Sequence, residues 1–351
     1  MQDTEQTLQP LVSVILCNYN YGKYIGQAIE SVLGQTYQNF ELIVIDDAST
    51  DNSAEVITSY RDKLQFIGLE RNSGQGAVFN IGLRQSKGEI ICFLDSDDYF
   101  HIQKLQKTVH AFRVHPEWVQ VSHAWTSVDS ENRITGSGTK SFVQGDVRRM
   151  LLKWGRYPCA ITSGLSYRRF ALEKISPIPD RSVIVAGQPY NNGADCYMVA
   201  TVPFYGQVGY INEALMFYRV HGKNRRAYTD DYSYPVQGCR AIGEIINAEA
   251  EKHGFGERFD LENDGDYLSL QALQLNQPYP LWKMIVLTLQ EAIDCNVQPR
   301  DALERLLRRG ICAASPRNGK DVIRLGLRRY LRSRLAARQY DAIDGTPSSH
   351  S

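Results

Sequence analysis

Residues 12–17 (VSVILC), 40–45 (FELIVI), 64–69 (LQFIGL) and 89–94 (EIICFL) are short apolar runs separated by single helix-length segments. No other feature constrains the fold as much. Strands that alternate with single helices form βαβ units and a parallel sheet, and right-handed crossovers align the strand C-termini along one edge. In the first helical segment, 23–33, Ile25, Ala28, Ile29, Val32 and Leu33 share one face. Ser49-Thr50-Asp51 offer N-cap side chains for a helix running to about Tyr60, and Gly74-Gln75-Gly76 lead into another from about Ala77 to Gln85. The expected class is α/β.

Polar residues gather where those strands end. Tyr19-Asn20, Asp46-Asp47 and the cluster Asp95, Asp97, Asp98 each follow a strand, the position at which open α/β sheets bind ligands. Three aspartates in four positions after a greasy run repel one another and resist desolvation. Either the cluster is a solvated turn, or it holds a hard divalent cation, Mg²⁺ or Mn²⁺, through the D-x-D pair while leaving positions for phosphate oxygens.

From Pro116 the pattern is mixed, with strands expected over Trp118–Ala124 and Gly206–Tyr218 and a short helix over Ala194–Thr201. Beyond Thr229, residues 236–253, 267–274, 281–295 and 301–310 have helical periodicity. The expected organisation is one domain over 1–229, a helical extension over 230–344 and a disordered tail over 345–351. Lys plus Arg equals Asp plus Glu at 39 each, so the overall charge gives no argument for nucleic acid, and none is expected as a partner. The seven cysteines are scattered and never spaced C-x-x-C, which argues against a disulfide framework or zinc site. Cys17 and Cys92 read as small core residues. The N-terminus lacks the basic and apolar regions of a secretory signal, and no apolar run is long enough to cross a bilayer. A soluble protein of a reducing cytoplasm is expected.

Five motifs in order resemble the family 2 glycosyltransferases: SVILCNYN at 13–20, IESVLGQTY at 29–37, ELIVIDDASTD at 41–51, Asn72-Ser73-Gly74 with Asn80-Ile81-Gly82, and FLDSDD at 93–98. The resemblance covers roughly residues 10–225. It implies a GT-A fold (Rossmann-like, a mostly parallel sheet flanked by helices) with an α-helical C-terminal extension, whose nucleotide-sugar half is 10–115 and whose acceptor half is 116–229. It further implies an inverting enzyme that uses a nucleotide-diphosphate sugar, a UDP-sugar being favoured, with Mn²⁺ or Mg²⁺.

The resemblance assigns roles position by position. Tyr19, Asn20 and Asp47 are expected at the nucleotide, Asp47 accepting the N–H of a uracil-like base. Asp95 is expected at the ribose or a bridging water, and Asp97 as the direct metal ligand. Each has a plain rival: Tyr19 can cover the sheet edge, and Asp47 can cap the next helix. Asn80 either contacts the sugar or, with Gly74 and Gly82, shapes the loop and helix beside it. Residues 192–198 (NGADCYM) resemble the family's Glu-Asp motif at a helix start. Asp195 is thereby expected to be the general base, while Ala194 stands where the glutamate is usual. Residues 213–224 (EALMFYRVHGKN) resemble the closing strand and its Tyr-Arg-x-His-x-x-Asn, so His221 is expected at the metal or diphosphate, as a neutral imidazole. Lys223, Arg225 and Arg226 either bind diphosphate or solvate a loop.

The acceptor is expected to be a glycan or lipid-linked glycan, met by Trp125, Trp154, Tyr157 and the run Thr162-Ser163-Gly164. Val322, Ile323, Leu327, Tyr330, Leu331 and Leu335 fall on one helical stripe with arginines elsewhere around it. Such a basic amphipathic helix either packs its stripe on the protein or lies peripherally on the inner face of a membrane. Two other readings stay open. One is a non-catalytic nucleotide-sugar-binding protein. The other is an Asp-dependent phosphatase, although Tyr99 stands where that family expects Thr or Val. No G-x-G-x-x-G follows the first strand, which argues against a dinucleotide oxidoreductase.

Overall fold

The computed structural model describes residues 9–138, 142–180, 182–185, 187–190, 192–221 and 231–343. The chain begins with β1 (Val12–Asn18), α1 (Gly22–Leu33), β2 (Phe40–Asp46), α2 (Ser53–Thr58), β3 (Gln65–Gly68), α3 (Gln75–Gln85) and β4 (Ile90–Asp95). β2 and β4 flank β1 in parallel, with Leu16 opposite Val44 on one side and Leu94 on the other, and β3 extends the sheet beyond β2. Val14–Leu16 and Ile90–Leu94 are buried at successive positions, the pattern of strands covered on both faces. α1 lays Ile25, Ala28, Ile29 and Val32 on this core, as their spacing predicts.

The chain continues through β5 (Tyr99–Phe100), α4 (Lys104–Val114), β6 (Trp118–Val128), β7 (Ile134–Gly138), α5 (Arg148–Trp154), β8 (Leu165–Arg168) and α6 (Arg169–Ile175). It then forms the small pair β9 (Ile184–Val185) and β10 (Gln188–Pro189), α7 (Ala194–Thr201) and β11 (Gln207–Arg219). Among the described residues these make a nine-stranded sheet in the order β3-β2-β1-β4-β8-β6-β11-β5, with β7 paired to β6. The first four strands in that order are parallel. Beyond β4 the sheet is mixed, because β8 runs antiparallel to both β4 and β6 while β6 and β11 are parallel. It is a GT-A-type sheet with flanking helices.

One local expectation is corrected here. Ser49, Thr50 and Asp51 do not cap α2 as a set. The first residue outside that helix is Asn52, with no side-chain cap bond; of the three only Asp51 reaches the helix start, accepting the first α2 amide, Ser53, at 3.0 Å, and it also accepts the Gly22 amide at 2.9 Å.

The packing divides the chain into two compact units, Met1–Asn224 with Arg240–Phe259, and Arg225–Cys239 with Asp260–Ser351. The helix α8 (Ser233–Lys252) contributes to both. In the first unit its C-terminal part is anchored where the Tyr205 hydroxyl donates to Glu249 at 3.0 Å and where Asn247 pairs with the backbone of Phe259.

The second unit contains α9 (Gly265–Leu275), α10 (Leu281–Asp294), α11 (Pro299–Ala314), α12 (Pro316–Leu325) and α13 (Leu327–Ile343). Val236, Tyr267, Leu268, Met284 and Ala313 form its core. Arg309, buried, reaches Asp266 at 3.0 Å and also pairs with the buried Glu291. The single amphipathic stripe expected over Val322–Leu335 is interrupted. Gly326, at φ +78°, ends α12 and starts α13 afresh, a left-handed turn that glycine adopts without steric cost. Val322, Leu327 and Tyr330 are buried together against Ile311, whereas Leu335 is exposed. Among the described residues no helix is long and apolar enough to cross a membrane. Residues 345–351 lie outside them.

Candidate active site

The C-terminal ends of β1, β2 and β4 open on one edge, and the loops leaving them carry the polar groups singled out in the sequence. After β1, Asn20 sits at φ +59°, a left-handed conformation that asparagine tolerates. Its side-chain oxygen accepts the Thr50 amide at 2.7 Å, and its own amide donates to the Ser49 hydroxyl at 2.8 Å. Asn20 thus ties the β1 loop to the β2 loop. Tyr19 is exposed at that edge.

Asp46 and Asp47 are both buried and do different work. Asp46 accepts from Asn18 at 2.7 Å and from the Ser49 amide at 3.0 Å. Asp47 turns toward the loop before α3, where its two oxygens accept the amides of Ser73 at 2.7 Å and Gly74 at 2.9 Å. Asp47 does not cap α2, the rival role left open for it. Asn80 uses both ends of its amide on the backbone of Ile178, accepting at 2.8 Å and donating at 2.8 Å. It therefore clamps the segment before β9.

The aspartate cluster after β4 splits three ways. Asp98 is buried; it accepts the Ser163 hydroxyl at 2.7 Å and the Arg219 amide at 3.0 Å. Burial, then the neighbouring Asp97 and Asp95 charges, raises its carboxyl well above the ordinary range. Asp95 is pushed up to about 8, first by burial and then by Asp97 and Asp195, with Gln75 and Thr162 opposing. Asp97 faces His221, its Oδ2 lying 3.0 Å from the imidazole Nε2 with both side chains largely buried. The His221 ring stacks on Tyr24 and meets Tyr21 edge-on.

Asp97 and His221 are hydrogen-bonded to each other, and carboxylate oxygen and imidazole nitrogen are donor types that a divalent cation takes. Among the described residues no group of three or more His, Cys, Asp or Glu side chains is placed to hold a metal. Asp97 and His221 would therefore supply two ligands, with the remaining positions left for phosphate and water.

Arg219 fixes this corner. It is buried; it donates to the Asp97 carbonyl at 2.9 Å, to Asn132 at 2.9 Å and to Gln27 at 2.7 Å. Its guanidinium also lies over the Tyr24 ring at 4.5 Å. The sequence marked this arginine only as part of a motif. Lys223, Asn224, Arg225 and Arg226 lie outside the described residues.

The expected base stands across from the cluster. Asp195 is the second residue of α7; its Oδ1 accepts the Cys196 amide at 2.9 Å, and its Oδ2 accepts the Thr162 hydroxyl at 3.1 Å. Ala194 is buried, and its amide donates to Gln75 Oε1 at 3.1 Å, while Gln75 Nε2 lies 3.4 Å from Asp95. Gln75 therefore links the Asp95 carboxylate to the backbone at the start of α7, at the position where the family glutamate is missing. The turn 162–164 completes the link: the Ser163 hydroxyl accepts the Asp95 amide at 3.1 Å, and the Ser163 carbonyl accepts the buried Lys104 ammonium at 2.6 Å.

Gln75, Thr162, Ser163 and Lys104 were missed as supports of the carboxylates. The one available signal was that Gln75 and Thr162 stand inside conspicuous Gly- and Ser/Thr-rich runs. Trp125, Trp154 and Tyr157 are corrected: all three are buried, with Tyr157 paired to Gln120, so none offers a face to an acceptor sugar.

Comparison with known proteins identifies the family. Residues 13–176 match the sequence profile of the family described as Glycosyl transferase family 2. An uncharacterized glycosyltransferase of Nostoc sp. strain PCC 7120 is 34% identical over 278 residues, covering 76% of this chain and 84% of that protein. The glycosyltransferase GlyG of Streptococcus pneumoniae is 39% identical over 94 residues, 26% of this chain and 31% of its own length. Among solved structures, residues 1–349 of TarS from S. aureus, in complex with UDP-GlcNAc, superpose with a TM-score of 0.55 at 19% identity, covering 90% of this chain and 84% of that one. A mannosyltransferase of Pyrobaculum calidifontis in complex with GDP-Man and Mn²⁺ gives 0.50 at 16% identity, covering 95% and 88%. At these identities the two structures speak for the fold.

Proposed function

This chain belongs to glycosyl transferase family 2 and is a glycosyltransferase, and from that premise we propose that it moves a sugar, with inversion, from a nucleotide-diphosphate sugar to a hydroxyl of a glycan or lipid-linked glycan. One observation carries the reading. Asp95, Asp97, His221 and Asp195 are spread over more than 120 residues of sequence, yet Asp97 pairs with His221 while Gln75 ties Asp95 to the start of α7, where Thr162 holds Asp195. The solved neighbours bound to UDP-GlcNAc and to GDP-Man with Mn²⁺ support a sugar nucleotide and a divalent cation.

In this reading the diphosphate lies toward Asp97 and His221 and the nucleoside toward Tyr19 and the loop held by Asp47. Asp95 faces the ribose side. Asp195 accepts the proton of the attacking hydroxyl, the Thr162 and Cys196 donors having fixed the orientation of its carboxylate. A general base of this kind contributes typically ~10²–10⁴-fold. One displacement at the anomeric carbon inverts it, and the nucleotide diphosphate leaves on the opposite face. A divalent cation held by Asp97 and His221 would offset the charge that develops on the leaving diphosphate.

The test is nucleotide release from UDP-, GDP-, dTDP- and CDP-sugars, with and without Mn²⁺, by the wild type and by Asp97→Ala and Asp195→Asn. Metal-dependent release from one nucleotide class, lost in both variants, is expected. Turnover that survives Asp97→Ala overturns the reading.

A further inference from the structure

The second unit carries an apolar face that its own core does not use. α10 buries Met284, Thr288, Glu291 and Ala292 on one side. On the opposite side Trp282, Val286, Leu289 and Ile293 are exposed, Trp282 at 66% and Ile293 at 77%. These four positions, spaced i, i+4, i+7 and i+11, fall within one narrow stripe of an α-helix. Taking side chains of this size at roughly 150–250 Å² each, the stripe leaves about 450 Å² of apolar surface in water. A patch of this size is in the range of the largest on a typical soluble monomer, and such patches are often functional.

We propose that this stripe is the interface of a two-fold dimer in which α10 of one copy packs antiparallel on α10 of another. The first argument is size. An interface of standard size buries about 800 Å² per partner, about 60% of it apolar, which is about 480 Å² and matches the stripe.

The second argument is self-complementarity. A two-fold contact brings residue i against j and j against i. In a single antiparallel register Trp282 meets Ile293 of the other copy while Val286 meets Leu289, so the bulky ends meet each other and the smaller residues meet in the middle. The third argument is charge. Lys283 and Asp294 lie on the same flank of the stripe, at opposite ends of the helix, and that register sets each lysine beside the other copy's aspartate. A lipid surface is disfavoured as occupant, because this flank carries one charge of each sign where a membrane face would be basic.

The test is sedimentation velocity of the full chain from about 0.5 to 50 μM. The wild type is expected to show a reversible monomer–dimer equilibrium. Trp282→Glu and Ile293→Glu are each expected to raise the dimer dissociation constant at least about 30-fold, the size of a hot-spot loss, with unchanged thermal midpoints for the monomer. Lys283→Asp weakens the dimer, and adding Asp294→Lys restores it; that rescue is the signature of the reciprocal register. A chain that stays monomeric at 50 μM overturns the proposal, as does a dimer indifferent to Trp282→Glu. A monomer that pellets with anionic vesicles through Trp282 also overturns it and assigns the face to lipid.

Discussion

Lys104→Met removes a buried cation whose cost can be read from its proton affinity. The ammonium is fully buried, donates to the Ser163 carbonyl and lies 3.9 Å from the Phe100 ring centroid. Burial pushes it from the ordinary 10.5 down to about 8, with Cys92 and Asp98 acting in the other direction. In the unfolded chain the same lysine titrates near 10.5. Between pH 8 and 10.5 the unfolded state therefore holds more protons than the folded one, and stability rises with pH.

The gap, 10.5 minus 8, is about 2.5, and at 1.36 kcal/mol for each tenfold it amounts to about 3 kcal/mol. Below pH 8 the folded protein carries the full cost of the buried charge; above 10.5 the cost is gone. Methionine keeps most of the stem volume without the charge. The wild-type stability minus that of Lys104→Met should thus climb by about 3 kcal/mol between pH 7 and 11, and be level below pH 7. Urea unfolding of both proteins across that range measures it, and the subtraction cancels the shared groups other than Cys92 and Asp98, which interact with the Lys104 charge. A difference that is level from pH 7 to 11, or one that falls, refutes the reasoning.

Thr162→Val takes the side-chain donor from Asp195 and should lower kcat roughly 10- to 100-fold with the donor-substrate KM unchanged, whereas Thr162→Ser should retain most activity; steady-state kinetics decide. Asp47→Ala strands the amides of Ser73 and Gly74 and should cost about 3 kcal/mol, read by chemical denaturation, with weaker nucleotide binding in a thermal-shift assay. Arg219→Lys keeps the charge but cannot span Asp97, Asn132 and Gln27 at once, so a loss of about 3 kcal/mol and of Mn²⁺-dependent nucleotide binding is expected. Gly76→Ala would place a methyl group 2.2 Å from the Pro179 carbonyl and should destabilise the fold by about 1–3 kcal/mol in urea unfolding.

The parallel half of the sheet was legible because β1, β2 and β4 are continuous apolar runs broken by helices of clear periodicity. The short pieces were not. β5 has two residues and β8 four, too few for a pattern, and both are recruited by neighbours distant in sequence. The one-helix reading of residues 322–335 failed because periodicity survives across Gly326, while the backbone turn there does not show in a hydrophobic pattern. At the site, the motifs located the carboxylates but not their supports. What Asp47, Asn20 and Asn80 bind is decided by backbone amides and carbonyls, which every residue type carries, so the sequence has no letter for them. Lys104 reads as a surface lysine at a helix start; only the fold shows that it points inward.

Asp97 and His221 are 124 residues apart in the chain, and Arg219, which holds the Asp97 carbonyl, is nearly as late. On a ribosome adding about 5–20 residues per second, the aspartate cluster is therefore made roughly 6 to 25 seconds before its partners. Through that interval the emerging N-terminal half presents three crowded acids with no arginine or imidazole beside them. On the proposed roles of Asp97 and His221, binding competence is a late event of biosynthesis, and a translation product truncated before residue 219 should be unable to retain Mn²⁺ and nucleotide even where its first four strands have paired.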